Sequence, residues 1–153
     1  VGASGWDYVT PYRGTVEQSL KALHEQVFQA DFGDDDAYHD VEDLWRDVEF
    51  MGEEGAHSIL DIRRVVHTTV APSSNDIEDY GTLRPLAEDR VAHHFGTVRP
   101  TPDQFTQALA RASAGLGSGT LRDECRMRWT GLYLLLYAGP EPTHVGIFGF
   151  SGD

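Results

Sequence analysis

Arg128-Trp-Thr-Gly-Leu-Tyr-Leu-Leu-Leu-Tyr-Ala138, then Gly139-Pro-Glu-Pro142, then His144-Val-Gly-Ile-Phe-Gly-Phe150 is the stretch that decides the fold. Two apolar runs flank a Gly/Pro turn, which reads as a β-hairpin at the C-terminus. With side chains alternating, Leu132, Leu134 and Leu136 share one face of the first strand. Trp129, Tyr133, Leu135 and Tyr137 share the other. Both faces are apolar, so either both are covered or the sheet curls over a pocket. A cavity lined by Tyr133, Tyr137, Phe148 and Phe150 is one expectation. The other is that these aromatics pair across strands in the core.

Working back from the hairpin, the residues around Thr101 carry the clearest helix start. Thr101 caps, Pro102 takes the first helical position and Gln104 closes the box. Phe105, Ala108, Leu109 and Ala112 form its buried face, and Gly115 ends it, opening a flexible connector over residues 115–119. Residues 86–95 read as a further helix and 81–85 as a short strand after a polar loop. The β-branched content of residues 57–66 predicts a strand. Asp40 caps a helix with an apolar stripe of Val41, Leu44, Trp45, Val48 and Met51, stopped by Gly52 and Gly55. Near the N-terminus, Trp6, Tyr8 and Thr10 alternate along a strand that Pro11 ends. Thr15 and Gln18 then open a helix with Val16, Leu20, Leu23 and Val27 on one side. The order strand, helix, helix, strand, strand, helix, helix, hairpin predicts an α+β fold, a largely antiparallel sheet with packed helices in one domain over residues 1–153.

Composition bounds the partners. The 153 residues hold 25 acidic and 12 basic side chains, a formal charge of -13, and Lys21 is the one lysine. Nucleic acids and anionic membranes are bound by clustered Lys and Arg, so neither is the expected partner. A basic protein is. Apolar content of 40 % and 16 aromatics describe a folded chain. With Cys125 alone, no internal disulfide forms, and the expected role of that thiol is a small buried hydrophobe. No apolar run is long enough to span a membrane and no signal peptide is evident, so a cytoplasmic location is expected.

Three clusters are candidate sites. In Gly55-Ala-His57-Ser-Ile-Leu-Asp61-Ile-Arg63 there is a base, a carboxylate and a cation. On a strand, His57, Asp61 and Arg63 share a face, but His57 and Asp61 stand about 13 Å apart and can only flank a substrate. On a helix, His57 and Asp61 would touch. Asp34, Asp35, Asp36, Asp40, Glu42 and Asp43 form an acidic loop suited to a basic partner. It lacks the alternating acids, central Gly and closing Glu of a calcium loop, and no metal or other cofactor is expected. His93-His94 diverge by about 100° around a helix and serve its C-terminal dipole better than a metal.

The segments Gly5-Trp-Asp-Tyr-Val-Thr-Pro-Tyr12, Gly55-Ala-His-Ser-Ile-Leu-Asp-Ile62, Phe95-Gly-Thr-Val-Arg-Pro-Thr101 and Gly149-Phe-Ser-Gly-Asp153 together resemble a family of small uncharacterised bacterial proteins. That resemblance implies a single complete domain ending close to its natural terminus, and implies no catalytic residue.

Two functional readings follow. The first is an acidic protein-binding module, inhibitor- or immunity-like, that meets a basic partner through the acidic loop. The second is a small cofactor-independent lyase, isomerase or hydrolase. There His57 is the acid or base, Asp61 its companion carboxylate and Arg63 the anchor for an anionic group. Tyr133 and Tyr137 would line its small-molecule pocket. A third reading is a scaffold associating through an exposed patch of Trp129, Tyr133, Tyr137 and Phe148.

Overall fold

The computed structural model describes residues 4–34, 36–115 and 119–152. Its elements run β1 (Gly5–Pro11), α1 (Val16–Phe32), α2 (Val41–Arg46), α3 (Val48–Glu53), β2 (Arg64–Val65), β3 (Thr82–Pro85), α4 (Glu88–Phe95), α5 (Pro102–Ser113), β4 (Thr130–Tyr137) and β5 (Pro142–Phe150). The five strands make one sheet in the order β1-β5-β4-β3-β2. The expected C-terminal hairpin, β4 with β5, sits at its centre, and β1 joins β5 antiparallel. The short β3 and β2 add on the other side in parallel. The fold is α+β, with a largely antiparallel sheet.

Helices cover both faces, as the apolar hairpin requires. On one face α1 packs Leu20 and Leu23 against Trp6, Leu83, Tyr133, Val145 and Ile147. On the other, α4 and α5 pack Val91, Phe105 and Leu109 against Leu134, Leu136 and Phe148. A third, smaller core of Phe28, Leu44, Met51 and Leu60 holds α2 and α3 to the end of α1.

Three strand glycines make room for rings. A Cβ on Gly131 would come within 2.8 Å of Trp6 Cη2, and one on Gly149 within 2.6 Å of the same atom. The far end of the Trp6 indole therefore lies over two neighbouring glycines of β4 and β5. On the opposite face Phe105 lies over Gly146, where an added Cβ would be 2.9 Å from its ring. A ring over a glycine recovers burial that the missing side chain cannot supply.

The predicted helix starts are found at Thr15, Asp40 and Thr101, each side chain accepting a hydrogen bond from the backbone N–H three residues on. Thr101 and Gln104 complete a reciprocal capping box.

Four expectations are corrected. Residues 57–66 are not a strand. Ser58 accepts a bond from the Leu60 N–H and closes a 3-10 turn over Ile59–Asp61, and only Arg64–Val65 is extended into the sheet. Side-chain bonds to nearby backbone here outcompete β-propensity, while Ile59, Leu60 and Ile62 are still fully buried. The helix expected across Val41–Met51 breaks at Asp47, which ends α2 and caps α3. The break leaves Val48 77 % exposed. The aromatic cavity does not form, because Tyr133 pairs with Ile147 and Phe148 with Leu132, on opposite faces of the sheet. The exposed aromatic patch fails for a related reason, since Tyr133 and Phe148 are both buried.

Candidate functional site: a groove beside the acidic loop

Helical spacing on α1 produces two rows, each with neighbours four residues apart. Leu20, His24 and Phe28 form one, and Glu17, Lys21 and Glu25 the other. Both rows line a groove of about 760 Å³. Its opposite wall is the start of α2, with Asp40, Glu42 and Trp45, and the edge strand β2, with Arg64 and Val65, preceded by Arg63. That volume falls within the roughly 300–1,000 Å³ usual for ligand sites.

The floor is held rigidly. Trp45 Nε1–H donates to the Leu60 carbonyl at 2.8 Å. His24 meets the Trp45 ring edge-on at 5.3 Å, and the Arg63 guanidinium lies over the same indole at 5.5 Å. His24 is 6 % exposed, and its Nε2 has no hydrogen-bond partner among the described residues. Burial pushes its pKa below the ordinary histidine value, against the opposing pull of the Ile62 and Ile59 backbone. The ring is therefore neutral near pH 7. With the backbone bonds assigned to Nδ1–H, Nε2 presents a lone pair.

Around this floor the acidic residues are exposed. Asp34 and Asp36 lie on the loop between α1 and α2. Asp40 accepts from the Asp43 N–H at 2.8 Å, and Asp43 accepts from the His39 N–H at 2.8 Å. The Asp43–Arg46 ion pair is long, 3.8 Å, and exposed, so it neutralises little. Asp34, Asp36 and Glu42 make no ion pair among the described residues. Asp35 lies outside the described residues.

Of the first cluster, Asp61 and Arg63 line one shallow cavity beside Trp129 and Tyr80, and His57 is not among its lining residues. The Asp61 carboxylate, 2 % exposed, accepts from the Ala56 N–H at 2.7 Å and the His57 N–H at 3.1 Å. It fills a small nest of backbone donors made possible by positive φ at Gly55 (72°) and His57 (54°). Burial raises its pKa even though these bonds oppose the rise. The His57 residue is exposed at the surface. From there Arg63 reaches onto Trp45. Tyr133 is buried under α1, where desolvation, Glu17 and Tyr12 raise its pKa. Tyr137 lies beneath the Arg99 guanidinium at 5.7 Å. Of the sequence-derived candidates, Asp40, Glu42 and Arg63 meet in the groove.

Four contributors were missed from sequence. For His24 the available signal is its place between Leu20 and Phe28 at four-residue spacing. Trp45 stood in the expected apolar stripe, and nothing in the sequence sets Glu17 and Glu25 apart from other helix carboxylates. Cys125 is buried as expected, with burial raising its thiol pKa and Thr130 and Met127 beside it.

Among the described residues no helix is long and apolar enough to cross a membrane, and no three His, Cys, Asp or Glu side chains group as metal ligands. No family model, curated protein or solved structure matches the chain.

Proposed function

We propose that this protein is a binding module for a basic protein partner, acting in the bacterial cytoplasm. The acidic loop and Glu42 attract the partner, and the groove seats one of its Lys or Arg side chains. The carrying observation is the buried His24 Nε2, without a hydrogen-bond partner among the described residues, under a groove whose lining sets Glu17, Glu25, Asp40 and Glu42 against Lys21, Arg63 and Arg64. A neutral imidazole lone pair, carboxylates and an indole face are each groups that a cationic side chain can engage. The Arg63 stacked on Trp45 shows how a guanidinium sits against this indole. The exposed acids would raise the association rate, an effect that fades with salt.

The test is selection of phage-displayed random dodecapeptides against the wild-type chain at low salt. The reading expects enrichment of Lys and Arg. It also expects the selected peptides to lose binding to Asp34→Asn/Asp36→Asn/Glu42→Gln and to His24→Phe. Peptides without basic residues, or equal binding by both variants, would overturn it.

A further inference from the structure

The two edges of the sheet are protected unequally. The β2 edge is 2 residues long, Arg64–Val65. The β1 edge is 7 residues long, Gly5–Pro11. An open strand edge is a row of unpaired donors and acceptors, which folds blunt with shortness, lysine, proline or a bulge. In β1 the proline comes at the last position, there is no lysine, and the register with β5 runs unbroken from Gly5 opposite Phe150 to Pro11 opposite His144.

Strand parity fixes which groups point outward. The ladder continues past both ends of β1, where the Ser151 N–H donates to the Ser4 carbonyl and the Tyr12 N–H to the Thr143 carbonyl. Hydrogen-bonded pairs recur at every second residue of an antiparallel ladder. Trp6, Tyr8 and Thr10 therefore bond to β5, while Gly5, Asp7 and Val9 turn both N–H and C=O away from the sheet. Pro11 turns its C=O the same way. All four outward residues are exposed, and their outward backbone groups make no bond among the described residues.

In a chain of charge -13 this edge is locally neutral. Residues 4–16 hold one acid, Asp7, and one base, Arg13, and Asp7 is ion-paired with Arg122. Burial raises the Tyr8 pKa and the Asp31 charge adds to it, which places one further acid, from the last turn of α1, near the edge. A cationic partner finds no concentration of acid here, unlike in the groove at the β2 edge. A second copy finds a strand of matching length and no strong repulsion.

We propose that β1 pairs antiparallel with β1 of a second copy about a two-fold axis at Tyr8, joining two five-stranded sheets into one. In this register Asp7 exchanges both main-chain bonds with the second copy's Val9, and the Gly5 N–H reaches the second copy's Pro11 carbonyl, about six bonds in all. An axis at Asp7 would set like charges directly opposite each other. An axis at Val9 would put Pro11, which has no N–H, opposite Asp7. The pairing leaves both grooves at the outer ends of the joined sheet and does not depend on their role.

The test is sedimentation equilibrium of the chain from about 10 μM to about 1 mM, at low and high salt, with amide hydrogen exchange at both concentrations. So small an interface gives weak association, with a Kd on the order of 100 μM. Salt should tighten it by screening two chains of like charge, the reverse of its effect on basic peptides. The Trp6, Tyr8 and Thr10 amides should be protected at every concentration. The Asp7 and Val9 amides should exchange fast when dilute and about fivefold more slowly at about 1 mM, where about four-fifths of the chains are paired. That measurement needs no variant. Val9→Glu sets a carboxylate opposite the second copy's Asp7 and should weaken association at least about tenfold. Val98→Glu, at an exposed valine outside the sheet, should leave it unchanged. A chain still monomeric at about 1 mM in high salt would overturn the proposal. So would association that leaves the Asp7 and Val9 amides fast, or that survives Val9→Glu undiminished. Slowing of those amides only on addition of a basic peptide would give the edge to a foreign strand, and the proposal would fall.

Discussion

Replacing Gly131 by alanine tests whether the Trp6 indole is what the central glycines exist to accommodate. In a strand interior alanine is normally better than glycine by roughly 0.5–1 kcal/mol, so a vacant site would yield a more stable protein. The new Cβ would instead lie 2.8 Å from Trp6 Cη2, 3.1 Å from Leu83 Cδ1 and 3.1 Å from the Phe148 carbonyl oxygen. Carbon atoms pack comfortably at about 3.5–4.0 Å, so the indole has to retreat by close to 1 Å. It has little freedom to do so, being 6 % exposed and lying across Gly149 as well. Overpacking of this kind costs about 1–3 kcal/mol. Full expulsion of the ring would forfeit its buried area, about 150–250 Å², an upper bound of about 4–6 kcal/mol. The expected loss is therefore about 1–3 kcal/mol, read as a lower urea midpoint by far-ultraviolet circular dichroism. Trp6→Phe removes the colliding atoms, so the double variant should lose less than the two single losses together, with a coupling of about 0.5–3 kcal/mol. A Gly131→Ala protein as stable as wild type or more so, or strict additivity with Trp6→Phe, would refute the argument.

Other outcomes follow from the same structure. Asp61→Asn keeps one acceptor oxygen for two backbone N–H groups and should lower stability by about 1–3 kcal/mol at pH 7, again by urea titration. His24 has a folded pKa below its unfolded value. Its contribution is complete above about pH 6.5 and is lost as pH falls through that value, because the unfolded chain takes up the proton first. Urea midpoints at falling pH should show that decline in wild type and a shallower one in His24→Phe. For Glu124, burial raises the pKa but Arg90 and His94 more than offset it, so the net shift is downward. Glu124→Gln should cost stability at neutral pH, and the difference from wild type should shrink below about pH 4.5 as the wild-type carboxylate protonates. The buried Cys125 thiol should resist a thiol-reactive disulfide reagent in the native protein and react promptly in denaturant. Fast reaction without denaturant would contradict its burial.

Much of the architecture was legible because it is written in short spacings. Thr101-Pro102 with Gln104, Thr15 with Gln18, and Asp40 before Val41 each specify a helix start through bonds spanning three residues. The alternation of residues 130–137 specifies a strand with two apolar faces, and helices on both sides are its consequence. The β-branched run at residues 57–66 misled, because Ser58 and Asp61 turn the backbone with bonds of two to five residues' reach. Propensity ranks a residue's preference for the extended state and does not weigh a nearby side chain that offers the backbone another partner.

The sequence by itself determined the sign of the protein's charge, the class of the fold, the positions of the main helix starts and the central hairpin. Each of these depends on composition or on neighbours along the chain. Only the tertiary structure decided which residues meet. Tyr133 and Phe148 were separated by a register that puts them on opposite faces of one sheet. His24, Trp45 and Arg63 were gathered by docking β2 and α2 beside α1. Trp6, Tyr8 and Thr10 were bonded to β5 by a register that turns Gly5, Asp7 and Val9 outward. Such meetings depend on strand register and on which face of the sheet each element covers, and both are set by the packing of the whole core.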